Sequence, residues 1–334
     1  MLLRIKHQTD LNYTDLISES VMELRMAPRQ EADQHRLSFQ LSIGPAASVA
    51  NYFDWLGNIV HTFSINPFHQ QIQIVADSVV ETDREVPNIW GLSDVWPIPR
   101  ESLDYTLYDY LQFGGPIVNC AKLRDLASSL GPRQGASLGK LCLHLMQTID
   151  QRYTYEKGAT TAASPITEIL EHGRGVCQDF THLMIGLARV LGIPARYVSG
   201  FICREDEQTR GYAQTHAWCE LYLPSTGWIG FDPTNNCLIG GNFVKVATGR
   251  DFRDVPPNRG LYRGKANEKI DVAVEMIELP AIPPALVSER YHSLDLEVFP
   301  QRRMMEGDLV SQQQEQQQQE LRQQQEQQQQ QPGC

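Results

Sequence analysis

The sequence predicts an α+β protein: an all-β N-terminal domain, then a core in which helices precede antiparallel strands. Three observations carry this. Apolar and polar residues alternate with period two through much of residues 1 to 85. From about residue 118 the apolar period becomes helical. After Gly192 and Pro194 it returns to that of strands. A chain of 334 residues is also longer than one compact core usually serves, so two domains are expected.

Taken in order, Leu3, Ile5, His7 and Thr9 alternate with charged or polar neighbours, and 36–44 and 69–82 follow the same pattern. Gly57-Asn58 stands between two apolar-aromatic runs within 52–65, a hairpin signal. Residues 86–117, bearing Pro and Trp, read as a linker. The core follows over 118–295. Leu138, Leu141, Leu145 and Ile149 mark a helix within 136–153. Ser164-Pro165 opens a short helix as N-cap and first-turn proline, and Gly173 and Gly175 end it. A helix from Val176 carries Phe180, Leu183, Met184, Leu187 and Leu191 on one stripe, which leaves Asp179 and His182 toward solvent or the N-terminal domain. Strands are expected at 195–203, 212–223, 227–232 and 269–278. Residues 296–334 form a Gln-rich tail with too few apolar residues to offset ordering entropy, so disorder is expected there.

The formal net charge of -11 argues against nucleic acid as a partner, because a phosphate-binding surface needs a basic excess. No apolar run suits a signal peptide or a bilayer span, so no membrane partner is expected. Seven cysteines (120, 142, 177, 203, 219, 237 and 334) include no Cys-x-x-Cys pair. That pattern suits reduced thiols and a cytoplasmic location.

Cys142, Cys203 and Cys219, within a helix or strands and among apolar residues, read as small buried residues. Cys177 differs by position. It falls in the first turn of its helix, at the edge of the apolar stripe, where unpaired N–H groups and the helix dipole stabilise an anion such as a thiolate. A thiol with an ordinary pKa of ~8.5 needs a base or cation nearby to be largely thiolate at neutral pH. His216 and Asp232 lie on two strands joined around Pro224-Ser225-Thr226-Gly227. Their separation is even, so an odd-length loop puts both on one face of the hairpin, whereas an even-length loop without a bulge puts them on opposite faces. On one face, Asp232 can accept a hydrogen bond from one imidazole nitrogen while the other takes the thiol proton. Singly, His216 is a satisfied strand histidine and Asp232 a turn opener before proline. Together with Cys177 they make a triad.

Gly175-Val176-Cys177-Gln178-Asp179-Phe180, then Gly192-Ile193-Pro194-Ala195-Arg196-Tyr197-Val198-Ser199-Gly200, His216-Ala217-Trp218 and Phe231-Asp232-Pro233-Thr234 resemble the bacterial transglutaminase-like family, also described as candidate cysteine proteases. The resemblance is close over roughly 150–263, and 1–85 resemble the family's β-rich N-terminal domain. It implies a papain-like core with Cys177 as nucleophile, His216 as base and acid, and Asp232 as orienter. It further implies attack on an amide carbonyl of a peptide or protein, commonly a glutamine side chain, and transfer of the acyl group to an amine or to water. The backbone N–H of Cys177 and a second donor would hold the oxyanion, and Tyr155 stands where the family carries an aromatic residue. Arg250, Asp251 and Asp254 read as loop-fixing. No calcium-loop pattern is present, and no cofactor is called for.

Two rival readings use the same residues. One is a non-catalytic interaction module on this fold, which loss of a triad residue would favour; none is lost. The other is a metal site built from Cys177, His216 and Asp232.

Overall fold

The structure is a computed structural model that describes residues 1–203, 215–282 and 288–299. The expected tail lies outside the described residues from 300 onward, as do residues 212–214 of the expected strand at 212–223.

The N-terminal sheet is built around β1 (Leu2–Leu24), whose inward residues Leu3, Ile5, Leu11 and Ile17 are fully buried or nearly so. Its first half pairs antiparallel with β5 (His69–Thr82) and its second half with β4 (Ile59–Ile65). β2 (Gln34–Gly44) lies beyond β5, and β3 (Ala50–Phe53) ends the order beyond β4. The Gly57-Asn58 signal marks the β3–β4 hairpin, and Gly57 takes the left-handed backbone (φ 74°) that glycine adopts at least cost. The Asp54 carboxylate accepts the Leu56 and Asn58 N–H groups and sets the turn.

Two boundaries differ from the sequence reading. Residues 86–117 are docked rather than spanning freely: Ile89, Ile98, Leu103, Leu107 and Ile117 are buried in the main core. Short 3-10 turns at Ile89–Gly91, Arg100–Ser102 and Tyr105–Leu111 and a two-residue strand β6 (Val95–Trp96) shape this segment. The strands after residue 257 also depart from the expected core. β15 (Asn258–Arg263) and β16 (Glu268–Glu278) pair with β1, and β17 (Glu289–Ser293) runs parallel to β2. The expected strand at 269–278 is therefore real but completes the N-terminal sheet. The physical reason lies in β1, whose free edge along Leu3–Tyr13 finds no partner among the first 85 residues and takes one from the far end of the chain. Phe299, placed in the tail by the sequence, exchanges backbone hydrogen bonds with Phe68 at 3.2 and 2.8 Å.

In the core, α1 (Ala121–Ser129) and the short β7 (Ala136–Ser137) precede α2 (Leu138–Arg152), which Ser137 caps. β8 (Thr154–Tyr155) pairs in parallel with β9 (Arg174–Gly175), and between them α3 (Ile166–His172) starts after Pro165. Pro165 is thus the N-cap position, and Ser164 instead accepts the Thr161 N–H. Gly173 ends α3 in the left-handed conformation. The antiparallel sheet runs β13 (Cys237–Leu238), β12 (Gly227–Asp232), β11 (His216–Leu223), β10 (Ala195–Ile202), β14 (Phe243–Gly249). α4 (Cys177–Val190) packs against β10 and β11 and is enclosed by α1, α2 and α3.

The two halves share one core. Leu3, Ile5, Val80, Val274 and Met276 of the N-terminal sheet join the same buried cluster as Phe201 and Val244 of the core sheet. β14 is the last strand of its sheet, and the N-terminal domain caps its outer edge with two side-chain amides. Gln34 accepts the Lys245 N–H at 2.7 Å and donates to the Lys245 carbonyl at 2.8 Å. Asn58 does the same for Thr248, at 2.8 and 2.9 Å. Beside them the Lys245 ammonium joins Glu31 of the N-terminal domain to Glu220 of β11.

Candidate active site

α4 begins in a way that explains the residues around Cys177. The Asp179 carboxylate folds back to accept the Val176 N–H at 2.8 Å and the Thr160 hydroxyl at 2.5 Å. This is half of a capping box, because valine has no side-chain acceptor to complete it. Gly175 makes room for it: a Cβ there would stand 2.7 Å from the Asp179 carboxylate. Burial raises the Asp179 pKa, against the bonds from Thr160 and Val176. Asp179 is therefore buried, not solvent-facing. His182 is buried too, its Nε2 accepting the Phe252 N–H at 3.2 Å, with its pKa lowered to about 3 by burial. Both corrections have one cause, which is that α4 is central and covered on all sides, so a single apolar stripe understates its burial. Both make hydrogen bonds within the fold. Cys177 itself is half-buried, at the end of the helix where the first N–H groups have no carbonyl behind them.

The hairpin meets the condition set by the sequence. β11 and β12 pair from Leu223 opposite Gly227, leaving a three-residue loop, so His216 and Asp232 fall on one face. His216 Nε2 donates to Asp232 Oδ2 at 2.8 Å, and both side chains are fully buried. An ionised carboxylate only accepts, so this bond places the proton on Nε2. Nδ1 is buried with no conventional hydrogen-bond partner and is left for the thiol, and Cys177 acts on the imidazole by hydrogen bonding and charge. Burial opposes the imidazolium, but the charge and hydrogen bond of Asp232, with Cys177 behind them, raise the His216 pKa well above its ordinary value. Burial likewise opposes the Asp232 carboxylate, and the His216 charge outweighs it to lower that pKa. Opposite His216 on β10 stands Gly200, where a Cβ would collide with the Val244 carbonyl and the Trp218 ring.

Tyr155 arrives at the same end of α4 because β8 pairs with β9 just before Cys177. Its ring stacks on Phe180 with centroids 6.4 Å apart. Arg250 binds Asp254 at 2.9 Å, and Asp251 accepts the Arg253 N–H at 2.9 Å, which fits the loop-fixing reading. The sequence reading missed Asn235, whose side chain donates to Asp232 Oδ2 at 2.7 Å, while the Thr234 N–H fills Oδ1 at 2.9 Å. The Asp-Pro-Thr-Asn order was the available signal, since an aspartate at a turn commonly accepts the N–H two residues on. Among the described residues, no three or more His, Cys, Asp or Glu side chains stand together as a metal site. Nor is any helix among them long and apolar enough to cross a membrane.

A half-buried cysteine at the start of a central helix, beside a His–Asp pair on a core hairpin, with a β-rich domain in front, defines a papain-like α+β protein of the transglutaminase-like class. Comparison with known proteins agrees. Residues 128–233 match the transglutaminase-like superfamily, and residues 3–81 match the bacterial transglutaminase-like N-terminal region. An uncharacterized protein of Mycobacterium tuberculosis is 30% identical over 294 residues, covering 82% of this chain and 92% of its own length. One from Mycobacterium leprae is 30% identical over 287 residues, covering 83% of this chain and 99% of its own. A crystal structure from Cytophaga hutchinsonii, described as a candidate cysteine protease, superposes with a TM-score of 0.69 at 22% identity, covering 90% of this chain and 93% of that one. The chain belongs to the bacterial transglutaminase-like family, and this membership supports a cysteine-dependent enzyme.

Proposed function

We propose that the protein is a cysteine-dependent acyl-transfer enzyme acting on amide bonds of peptides or proteins, with Cys177 as nucleophile, His216 as base and acid, and Asp232 as orienter. The observation that carries this reading is the buried Asp232–His216 pair, which leaves Nδ1 for the thiol at the N-terminus of α4. His216 Nδ1 takes the thiol proton, and the sulfur attacks the amide carbonyl. First-turn N–H groups of α4 hold the oxyanion, with Tyr155 as the second donor. The imidazolium then returns its proton to the departing nitrogen, which leaves a thioester on Cys177. Water or an amine, deprotonated by His216, releases the acyl group. The free state of the six cysteines among the described residues fits a reducing compartment, which we propose is the cytoplasm.

Iodoacetamide labelling followed by peptide mass mapping tests the site. Cys177 should react faster than half-buried Cys120 and Cys237, and His216→Ala should slow it by roughly tenfold or more. Equal reactivity of the three at every pH would sink the reading.

A further inference from the structure

We propose that the cavity beside the β3–β4 hairpin is a docking site for an acidic, aromatic-bearing peptide segment of a partner protein. The proposal does not use Cys177 and stands apart from the reading of that residue.

The cavity, of about 430 Å³, opens where β3, the end of β1, β15 and the turn at Phe252–Asp254 meet, so both halves of the molecule line it. Its wall is aromatic. Phe53 and Trp55 are 73% and 65% exposed, side by side on one hairpin. Tyr52 lies across the sheet face, its hydroxyl donating to Glu23 on β1 at 2.9 Å. The Arg250 guanidinium sits over the Trp55 ring, 5.1 Å from its centroid, and steadies it. The apolar surface continues along the sheet, where Val21 stands opposite Leu261 and both side chains are exposed. Aromatic surface beside arginines is the composition of a binding hot spot.

The polar groups decide the class of ligand. Three carboxylates line the cavity, and every one of their oxygens already accepts a hydrogen bond. Glu23 takes Tyr52 and Arg259. Asp54 takes the Leu56 and Asn58 N–H groups on one oxygen and the Asn58 side-chain amide on the other. Asp254 takes Arg250 on both. The donors are less fully engaged. Arg25 is buried and its Nη1 has no hydrogen-bond partner, with Glu23 3.6 Å away. Arg253 gives Nε and Nη2 to Asp251, and Arg259 gives Nη2 to Glu23, yet both side chains remain mostly exposed. Gly115 leaves the space that Arg253 fills, since a Cβ there would collide with the guanidinium. Filled acceptors and open guanidinium donors call for carboxylates, which arginine meets with a fork of two hydrogen bonds. Nucleic acid also offers anions and rings. Its backbone would have to run past Glu23, Asp54 and Asp254, on a chain of net charge -11. An acidic peptide carries its charges on separate side chains and fits between those carboxylates.

The test follows the fluorescence anisotropy of a short fluorescein-labelled peptide of glutamate and phenylalanine. It is titrated with the full chain carrying Cys177→Ala, so that no turnover intrudes. The same peptide with serine for glutamate, and a labelled oligothymidine of equal length, are the controls. Saturable binding of the acidic peptide is expected, with the serine peptide about tenfold weaker or more. Trp55→Ala and Arg259→Glu, both at exposed positions, should each weaken binding by about tenfold or more. Trp55→Phe, which keeps a ring, should hold most of the affinity, and Arg133→Glu, at an exposed position before α2, should leave it unchanged. Absence of saturable binding, equal affinity for the serine peptide, or tighter binding of the oligonucleotide would overturn the proposal. An equal fall in Trp55→Phe and Trp55→Ala would trace the loss to the fold and overturn it too. The same holds for an equal fall in Arg133→Glu, which would make the attraction one of overall charge.

Discussion

Asp232 has no exposed surface, and its two oxygens accept four hydrogen bonds, from His216, from the Thr234 N–H and from the Asn235 N–H and side chain. Four donors hold the carboxylate ionised and aimed at a single nitrogen. The signs of the shifts define where the pair persists. The His216 pKa is raised, so the pair's contribution is fully present below the ordinary imidazole value of ~6.5 and is lost as pH rises through the raised value. The Asp232 pKa is lowered, so its contribution is present above ~3.9 and is lost as pH falls through the lowered value. Asn235 is a positioning residue in this scheme. Asn235→Ala removes one charge-assisted bond, worth roughly 1.5–3 kcal/mol. The expected outcome is a kcat about tenfold lower or less than that, with the acid limb of the pH–rate profile moved up by about one unit. A lower kcat on an unmoved acid limb would assign Asn235 a purely structural role.

Among the elements, the start of α4 depends on one absent side chain. Gly175→Ala would set a Cβ 2.8 Å from the Asp179 Cβ as well as against its carboxylate, so Asp179 could no longer reach the Val176 N–H. Forced contacts of this kind cost about 1–3 kcal/mol. The melting temperature should drop, and Cys177 labelling should slow because the helix end that presents the thiol is displaced. Unchanged melting and labelling would show that the turn absorbs a methyl group. This element also shows what the sequence could and could not disclose. The helix start, the hairpin and the shared face of His216 and Asp232 were legible because helical position, loop length and strand alternation are local quantities. The burial of Asp179 and His182 was not legible, because it depends on helices and loops far away in sequence that close around α4. The place of the strands after residue 257 was hidden for the same reason. The strand at 269–278 was legible, but only the unfilled edge of β1 assigns it to the N-terminal sheet.

At the scale of the whole molecule, Arg189 ties the parts of the core together by donating to the carbonyls of Tyr110, Gln112, Ala195 and Arg250. Burial lowers its pKa to about 10, which leaves it charged at neutral pH. The amides of Gln34 and Asn58 act across a longer range. Each occupies on β14 the place a neighbouring strand's peptide group would take, so the N-terminal domain serves the core as a substitute strand made of side chains. A core released from it would carry an open row of N–H and C=O groups along β14, together with the uncovered surface of Phe201 and Val244. Such an edge recruits whatever strand is nearest, and at working concentrations that is the β14 of another copy. Residues 86–257 expressed alone, without the later strands that belong to the N-terminal sheet, should therefore elute as dimers or larger species in size-exclusion chromatography, and a monomeric, folded fragment would contradict this. The consequence is one of inheritance: the two halves cannot be exchanged or shed independently, because the amides that close the core sheet are encoded before its first strand.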